Sequence, residues 1–125
     1  MIVFDNVTKY YKSNVGLEKV SVKINKGDFV FLVGPSGAGK STFVKLILKE
    51  IDADSGSITV KGNDVTKMSK RQVPKLRRNI GIVFQDFRLL PKKTVYENVA
   101  FAMEIVHQPR KLIKKYVPQV LSVVG

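Results

Sequence analysis

Three glycines, a lysine and three hydroxyl residues fall within the nine-residue stretch GPSGAGKST at positions 34–42. The stretch fits the pattern GxxxxGK followed by Ser or Thr, in which glycines let backbone N–H groups turn inward around an anion. An apolar run at 29–33 precedes the stretch, and a run with helical periodicity at 43–51 follows it. This strand–loop–helix context favours a phosphate-binding loop over a glycine-rich turn with a solvated lysine.

Each polar side chain of the loop has a separate expected role. Lys40 should reach the β- and γ-phosphates of a nucleotide as a point charge, and Ser41 should give its hydroxyl to Mg²⁺. Thr42 should donate to the α-phosphate, while the glycines expose N–H groups at the positive end of the next helix. The predicted nucleotide-binding residues of the loop are Gly34, Pro35, Ser36, Gly37, Ala38, Gly39, Lys40, Ser41 and Thr42.

The strands that must position this loop are of two kinds. Alternating residues at 2–11 and 17–24 predict an antiparallel pair joined by a turn at 13–14, and 58–60 predicts a further short strand. The apolar runs at 29–33 and 80–84 instead predict strands of a parallel core, the first buried on both faces. We therefore expect an α/β fold with an antiparallel subdomain beside a partial parallel core.

Four helices are predicted around these strands. The first is the 43–51 run, and the second opens at a capping box, Ser69 with Gln72, and carries the basic cluster at 70–78. Thr94 and Glu97 form another capping box, which opens the third helix. The fourth covers 109–124 and contains Pro118, where we expect a kink or an early end because proline removes one intrahelical hydrogen bond.

Composition narrows the classes of partner. The 125 residues suit one domain and carry a formal charge of +12, which favours nucleotides, nucleic acid or an acidic membrane surface as partners. The basic cluster at 70–78 is by default a solvated helix face, with an acidic partner or lipid headgroups as the alternative. No nucleic acid is expected, because aromatic residues are not interleaved with these basic ones. No apolar run approaches the length of a membrane-spanning helix, and the chain has no cysteine.

With the loop placed, the chain resembles the amino-terminal half of an ABC-transporter-type ATPase subunit. The resemblance implies an incomplete P-loop nucleoside triphosphatase fold that binds ATP and Mg²⁺. Tyr11 stands where that family keeps an aromatic residue that stacks on adenine, with Tyr10 as the fallback. The tract VFQD at 83–86 is similar to the family's Q-loop, so Gln85 is expected to touch Mg²⁺ and the attacking water and to sense a membrane partner. Lys40 and Gln85 are the expected catalytic residues.

Within that family, the tract at 73–105 is most similar to the FtsE-type branch, which serves cell division. Lipoprotein and macrolide exporters share GPSGAGKST and much of the Q-loop, so an exporter subunit stays open. The resemblance implies that Arg88 to Val99 help to receive a helix of an FtsX-type membrane subunit. It also implies a homodimer of the full-length protein at the cytoplasmic face of the membrane, coupling ATP turnover to septal peptidoglycan remodelling.

Several motifs of the family do not occur in these 125 residues. They are the signature sequence, an apolar strand ending in aspartate, the glutamate after it and a switch histidine. We therefore expect residues 1–125 to be the amino-terminal part of one nucleotide-binding domain. This part should contain the phosphate-binding loop but should not hydrolyse ATP by itself. Two other readings stay open: a module that binds ATP without hydrolysis, and a basic protein of nucleic acid or membrane surfaces.

Overall fold

Four antiparallel strands form the only sheet in the part of the chain that the structure, a computed structural model, describes: residues 1–12 and 14–125. The strands are β1 (Ile2–Tyr11), β2 (Asn14–Ile24), β3 (Ser55–Val60) and β4 (Asn63–Asp64), in the order β2-β1-β3-β4. The chain divides into two compact units, Met1–Gly81 and Ile82–Gly125, and the sheet lies in the first.

The long β1–β2 pair is the hairpin that the alternating pattern predicts. Ile2 pairs with Ile24 and Val7 with Val20, while register shifts interrupt the ladder between them. The alternating pattern of apolar residues predicts these strands because successive side chains of a strand point to opposite faces, so one face can pack on a core. The Ser13 part of the predicted turn lies outside the described residues.

Helix α1 (Lys40–Ile47) packs on the sheet through its apolar side. Phe43 is buried and stacks on Phe4 of β1, with ring centroids 4.3 Å apart and an interplanar angle of 17°. Such a pair adds a specific contact to the burial of two large rings. The sequence therefore attaches the helix that follows the glycine loop directly to the antiparallel sheet.

The carboxyl end of α1 is fastened by an arginine from elsewhere in the first unit. Helix α2 (Val73–Arg77) ends with Arg77, whose Nε donates to the Leu48 carbonyl at 2.9 Å and whose terminal nitrogen donates to the Lys49 carbonyl at 3.2 Å. Carbonyls at a helix end lack intrahelical donors, so a guanidinium stabilises them. The α1 helix stops at Ile47 rather than at 51, and Lys49 adopts a left-handed φ of 51°.

Helix α2 is shorter than the sequence suggested. The predicted capping box is wrong: the Ser69 N–H and hydroxyl both donate to Gln72 Oε1 at 2.9 Å, but the Gln72 N–H donates to the Ser69 backbone carbonyl, and Gln72 is the residue that precedes the helix. The helix begins only at Val73, next to Pro74, because proline is favoured at the first helical positions, where no N–H is needed.

Helices α3 (Val95–Ile105) and α4 (Arg110–Val124) make up the second unit and pack on each other around Ala100, Ile113 and Val117. The predicted capping box is present: Glu97 N–H donates to Thr94 Oγ1, and Thr94 N–H donates to Glu97 Oε2 at 2.7 Å. The early end predicted at Pro118 is wrong, since α4 continues to Val124. Pro118 is exposed, so water can satisfy the carbonyl that its missing N–H leaves free.

The partial parallel core is the one part of the expected architecture that is not formed as strands. Residues 29–33 and 80–84 have no strand hydrogen bonds, and pairing in the described residues is confined to β1–β4. The side chains at 29–33 are exposed, with Phe29 85% and Val33 83% accessible. A buried parallel strand depends on neighbours that satisfy its backbone and cover both faces, so an apolar run alone does not produce one.

Stability should depend on the Phe4–Phe43 stack and not on the apolar run at 29–33. Replacing Phe43 with alanine should lower the free energy of unfolding by about 3–5 kcal/mol, because it opens a cavity in the core. Phe29→Ala is the matched control, and its effect should stay within about 0.5 kcal/mol because the ring is exposed. Urea unfolding followed by circular dichroism measures both, and equal losses would contradict this account of the core.

Candidate phosphate-binding site

The glycine loop turns through conformations that other residues rarely adopt. Gly37 has a φ of 82° and Gly39 a φ of 87°, both in the left-handed region. Gly39 also sits against β2: a Cβ there would overlap the Gly16 carbonyl oxygen and lie 2.9 Å from Leu17 Cδ2. Gly39 is therefore required by backbone angle and by space, and it joins the loop to the sheet.

Lys40 folds back over the loop that precedes it. Its ammonium donates to the carbonyl oxygens of Gly34 at 2.6 Å and Pro35 at 2.7 Å. The charge thus lies at the mouth of the loop, beside the N-terminus of α1, where the helix dipole favours anions. The contact of Lys40 with nucleotide phosphates, which the sequence predicts, stays a prediction.

The two hydroxyl residues after Lys40 differ in environment. Ser41 is exposed and lines a cleft in front of the loop. Thr42 is buried, and its Oγ1 lies 3.4 Å from the Tyr11 hydroxyl, at the long end of hydrogen-bonding distance. Ser41 is therefore free to meet a cation or phosphate, while Thr42 also connects α1 to the end of β1.

A single cleft of about 400 Å³ brings six of the nine predicted loop residues together with Tyr11, whereas Gly34, Pro35 and Ala38 do not line it. Sequence reasoning missed the β2 residues that complete its wall. The signal available was Gly16, since a glycine inside a strand often marks close backbone approach; a Cβ there would lie 2.7 Å from Tyr11 Cε2. The lining residues are Tyr11, Asn14, Val15, Gly16, Ser36, Gly37, Gly39, Lys40, Ser41 and Thr42.

The end of β1, which carries the two tyrosines, is held by Asp54. One Asp54 oxygen accepts from the Tyr10 N–H at 2.6 Å, and the other meets the Lys9 ammonium at 2.9 Å. The hydrogen bond from Tyr10, followed by that from Lys9, lowers the pKa of Asp54 below its ordinary value of 3.8. Among the described residues Tyr11 lines the phosphate cleft and Tyr10 does not, so Tyr11 is the better candidate for base stacking.

Gln85 lies in the second unit, on an irregular segment before α3. It is exposed, and its side chain makes no hydrogen bond to another described residue. Its neighbours are fixed by Arg88, whose guanidinium lies 3.7 Å from the Phe84 ring centroid and whose Nε lies 3.6 Å from Asp86. The Gln85 amide is thus exposed to solvent on a segment whose neighbouring residues are held by Arg88. Its predicted contact with a metal and water stays a prediction.

The donor set at the loop suits a nucleotide with Mg²⁺. One ammonium and three loop hydroxyls line the same cleft beside the backbone of the glycines, which is the chemistry that binds a polyphosphate. Within the described residues no group of three or more acidic or histidine side chains could hold a metal by itself. Of the loop residues, Ser41 could hold Mg²⁺ through its hydroxyl, together with phosphate oxygens and water, and the metal contact expected of Gln85 stays a prediction.

A search for helices that could cross a membrane is also negative for residues 1–12 and 14–125. Every helix found there is too short or too polar to span the hydrocarbon core.

Comparison with known families and proteins gives a consistent result. The family model described as "ABC transporter" matches residues 17–123. The cell division ATP-binding protein FtsE of Mycobacterium tuberculosis (strain ATCC 25618 / H37Rv) is 54% identical over 127 residues, which cover all of this chain and 55% of that protein. FtsE of Streptococcus pneumoniae serotype 2 is 50% identical over 121 residues, or 97% of this chain and 53% of that protein. The chain therefore spans about half the length of these relatives.

Other relatives and solved structures agree on the fold. The methionine import ATP-binding protein MetN of Mannheimia succiniciproducens is 40% identical over 129 residues, covering all of this chain and 37% of that protein. The dimeric ATP-binding cassette MJ0796, in a post-hydrolysis state bound to ADP and Pi, superposes with a TM-score of 0.87 at 31% identity. That match covers 98% of this chain and 56% of that one, and it confirms the P-loop ATPase fold class.

Substituting Gly39 with alanine should weaken anion binding by the loop more than substituting Gly37 with alanine does. Both glycines are left-handed, so each change costs roughly 1–2 kcal/mol of backbone strain. Only at Gly39 does a Cβ also collide with backbone, whereas it meets nothing within 4 Å at Gly37. Titration with Mg-ATP should show at least a tenfold larger loss of affinity for Gly39→Ala. A larger loss for Gly37→Ala would contradict the close approach to Gly16.

Asp54 should titrate below its ordinary value and release the end of β1 in acid. Because its pKa is lowered in the folded chain, its stabilising contact is complete above pH 3.8 and disappears as the pH falls through the lower folded value. The Tyr10 amide resonance, followed by nuclear magnetic resonance from pH 6 to pH 2, should shift with a midpoint under 3.8. Asp54→Asn should remove that step. A midpoint at or above 3.8 would show that the carboxylate does not bind Tyr10.

Proposed function

Because this chain belongs to the ABC transporter family, we propose that it binds ATP and forms part of an ABC-type ATPase. The observation that carries the proposal is the cleft shared by Tyr11, the glycine loop and Lys40. It places an aromatic ring and a phosphate-binding loop on the same cavity of the first unit. A nucleotide has a flat base, which suits the aromatic ring, and a polyphosphate, which suits the glycine loop.

In this proposal, different residues of the cleft bind different parts of the nucleotide. The phosphates lie against the loop N–H groups, and Lys40 exchanges its two carbonyl acceptors for phosphate oxygens. Ser41 holds Mg²⁺, which neutralises the charge between phosphates when bound. The adenine stacks on Tyr11, which is 41% exposed and already fixed on its inner side by Gly16 and Thr42.

ATP hydrolysis to ADP and phosphate is the proposed activity of the assembled protein. The related cassette MJ0796 is dimeric and holds ADP and Pi, which supports both hydrolysis and a homodimer. In this proposal Lys40 stabilises charge on the transferred phosphoryl group, and Gln85 orients the attacking water with its free amide.

The proposed partner is an FtsX-type membrane subunit, and the proposed role is coupling of ATP turnover to septal peptidoglycan remodelling at the cytoplasmic face of the membrane. FtsE proteins are 48–54% identical to this chain, whereas the importer subunits are 38–43% identical. The docking surface would be residues 88–99, where Leu89 is 68% and Val95 70% exposed. Such exposed apolar residues suit a partner helix.

Asn98 gives that docking surface a fixed shape. Its side-chain oxygen accepts from the Leu90 N–H at 2.8 Å, and its amide nitrogen donates to the carbonyls of Leu90, Lys93 and Thr94 at 3.0–3.3 Å. The loop before α3 is therefore tied to the helix before any partner arrives, which reduces the ordering cost of binding.

An ATPase subunit of another transporter is the second candidate, and the 40% identity to MetN favours it. Lipoprotein and macrolide exporters belong to this candidate as well, since they share the loop and the Q-loop. A nucleotide-binding module without hydrolysis is the third. All three use the same cleft, and they differ in the membrane partner or in the presence of turnover.

Mg-ATP titration with Lys40→Ala tests the proposed function. Loss of a charge-assisted contact costs about 1.5–3 kcal/mol, so the affinity should fall roughly 10- to 100-fold. Lys45→Ala is the matched control, because Lys45 is an exposed lysine on the same helix and does not line the cleft. Isothermal titration calorimetry measures all three proteins. Failure of the unaltered chain to bind, or equal binding by both variants, would refute the assignment.

A further inference from the structure

One face of the first unit carries positive charge that the nucleotide cleft does not use. Arg71, Lys75 and Arg78 are all exposed, Lys75 on α2 and the two arginines in the turns that flank it. Lys75 also lines a small cleft together with Lys61 of the β3–β4 turn. We call Lys61, Arg71, Lys75 and Arg78 the basic surface.

The basic surface differs from the structural arginine beside it. Arg77 turns to the carbonyls at the end of α1 and is used there. By contrast, the side chains of Arg71, Lys75 and Arg78 form no hydrogen bond or ion pair within the described residues, and Lys61 only donates to the Asn79 carbonyl at 3.1 Å. Between 61 and 78 the chain has seven basic residues and one acid, Asp64. Such crowding of like charge opposes folding unless an anion relieves it.

The kind of anion follows from what the basic surface lacks. No exposed large apolar side chain of the described residues lies between 61 and 78, whereas protein interfaces rely on buried aromatic and apolar anchors. Aromatic residues for stacking on bases are also missing from this stretch. Helix α2 has five residues, too few to lie along a nucleic acid groove. A surface of charge alone suits a diffuse array of phosphates.

The small cleft supplies a place for one such phosphate. It has a volume of about 140 Å³, with Lys61 and Lys75 on its rim and Met68 and Leu76 among the residues that line it. Two ammonium groups beside a recess can hold a headgroup phosphate while the other basic side chains meet neighbouring headgroups.

From these features we infer that the basic surface docks the first unit on anionic phospholipid headgroups. The inference rests on the proposed function for one step only, that the protein works beside a membrane. It adds a second attachment, independent of residues 88–99 and of any membrane subunit. Each cationic side chain near an anionic bilayer contributes roughly 1 kcal/mol, so several together give measurable binding that salt weakens.

Vesicle sedimentation tests the inference with vesicles of phosphatidylcholine alone or with 30% phosphatidylglycerol. The chain should bind only the anionic vesicles. The triple variant R71Q/K75Q/R78Q should bind them about 100-fold more weakly, from the loss of three contacts of ~1 kcal/mol each. The matched control K111Q/K114Q/K115Q removes the same charge from exposed positions of α4 and should bind as before. Mg-ATP titration of both variants should be unchanged, which separates this result from failure of the nucleotide site.

Three results would overturn the inference: equal loss in both triple variants, equal binding to neutral and anionic vesicles, or tighter binding to a duplex DNA at the same phosphate concentration. A second measurement on the unaltered chain does not depend on how the variants fold. Anionic vesicles should protect Lys61 and Lys75 from an amine-reactive reagent while Lys111 stays reactive. Protection of Lys111 instead would place the contact on α4.

Discussion

The close approach of the Gly39 backbone to the Gly16 carbonyl is the contact on which the rest of the site depends. It joins the loop, which begins helix α1, to the second strand of the antiparallel sheet. The Phe4–Phe43 stack then fixes the helix on the same sheet from its buried side. Because loop and sheet meet at backbone level, Tyr11 at the end of β1 lies on the same cavity as Lys40. Only glycine fits at position 39, because any side chain there would collide with the Gly16 carbonyl.

Local rules predicted the parts of the molecule whose causes are local. Alternation in β1 and β2 identified the hairpin, and Thr94 with Glu97 identified the start of α3, because a capping box needs only residues three apart. The turn at the glycine loop and the helix after it were also predicted, since the spacing of Gly34, Gly39 and Lys40 encodes both, while the contacts of the loop with phosphate stay predictions.

The remaining features depend on contacts between distant residues, which a single sequence does not display. The run at 29–33 has the composition of a buried strand, yet that state needs neighbours on both sides, and the run is exposed here. Val15 and Asn14 enter the cleft only because β2 folds back beside the loop. Arg77 and Arg78 are adjacent in sequence, and only the fold distinguishes the one that holds α1 from the one whose side chain has no partner among the described residues.

The two carbonyl contacts of Lys40 bear on ion selectivity. An anion that enters the loop competes with the oxygens of Gly34 and Pro35 rather than with water alone. A neutral carbonyl is a weaker acceptor for an ammonium than a charged phosphate oxygen is, so the exchange favours highly charged ligands and disfavours chloride. A ligand must therefore bind the Lys40 ammonium more strongly than these two carbonyl oxygens do.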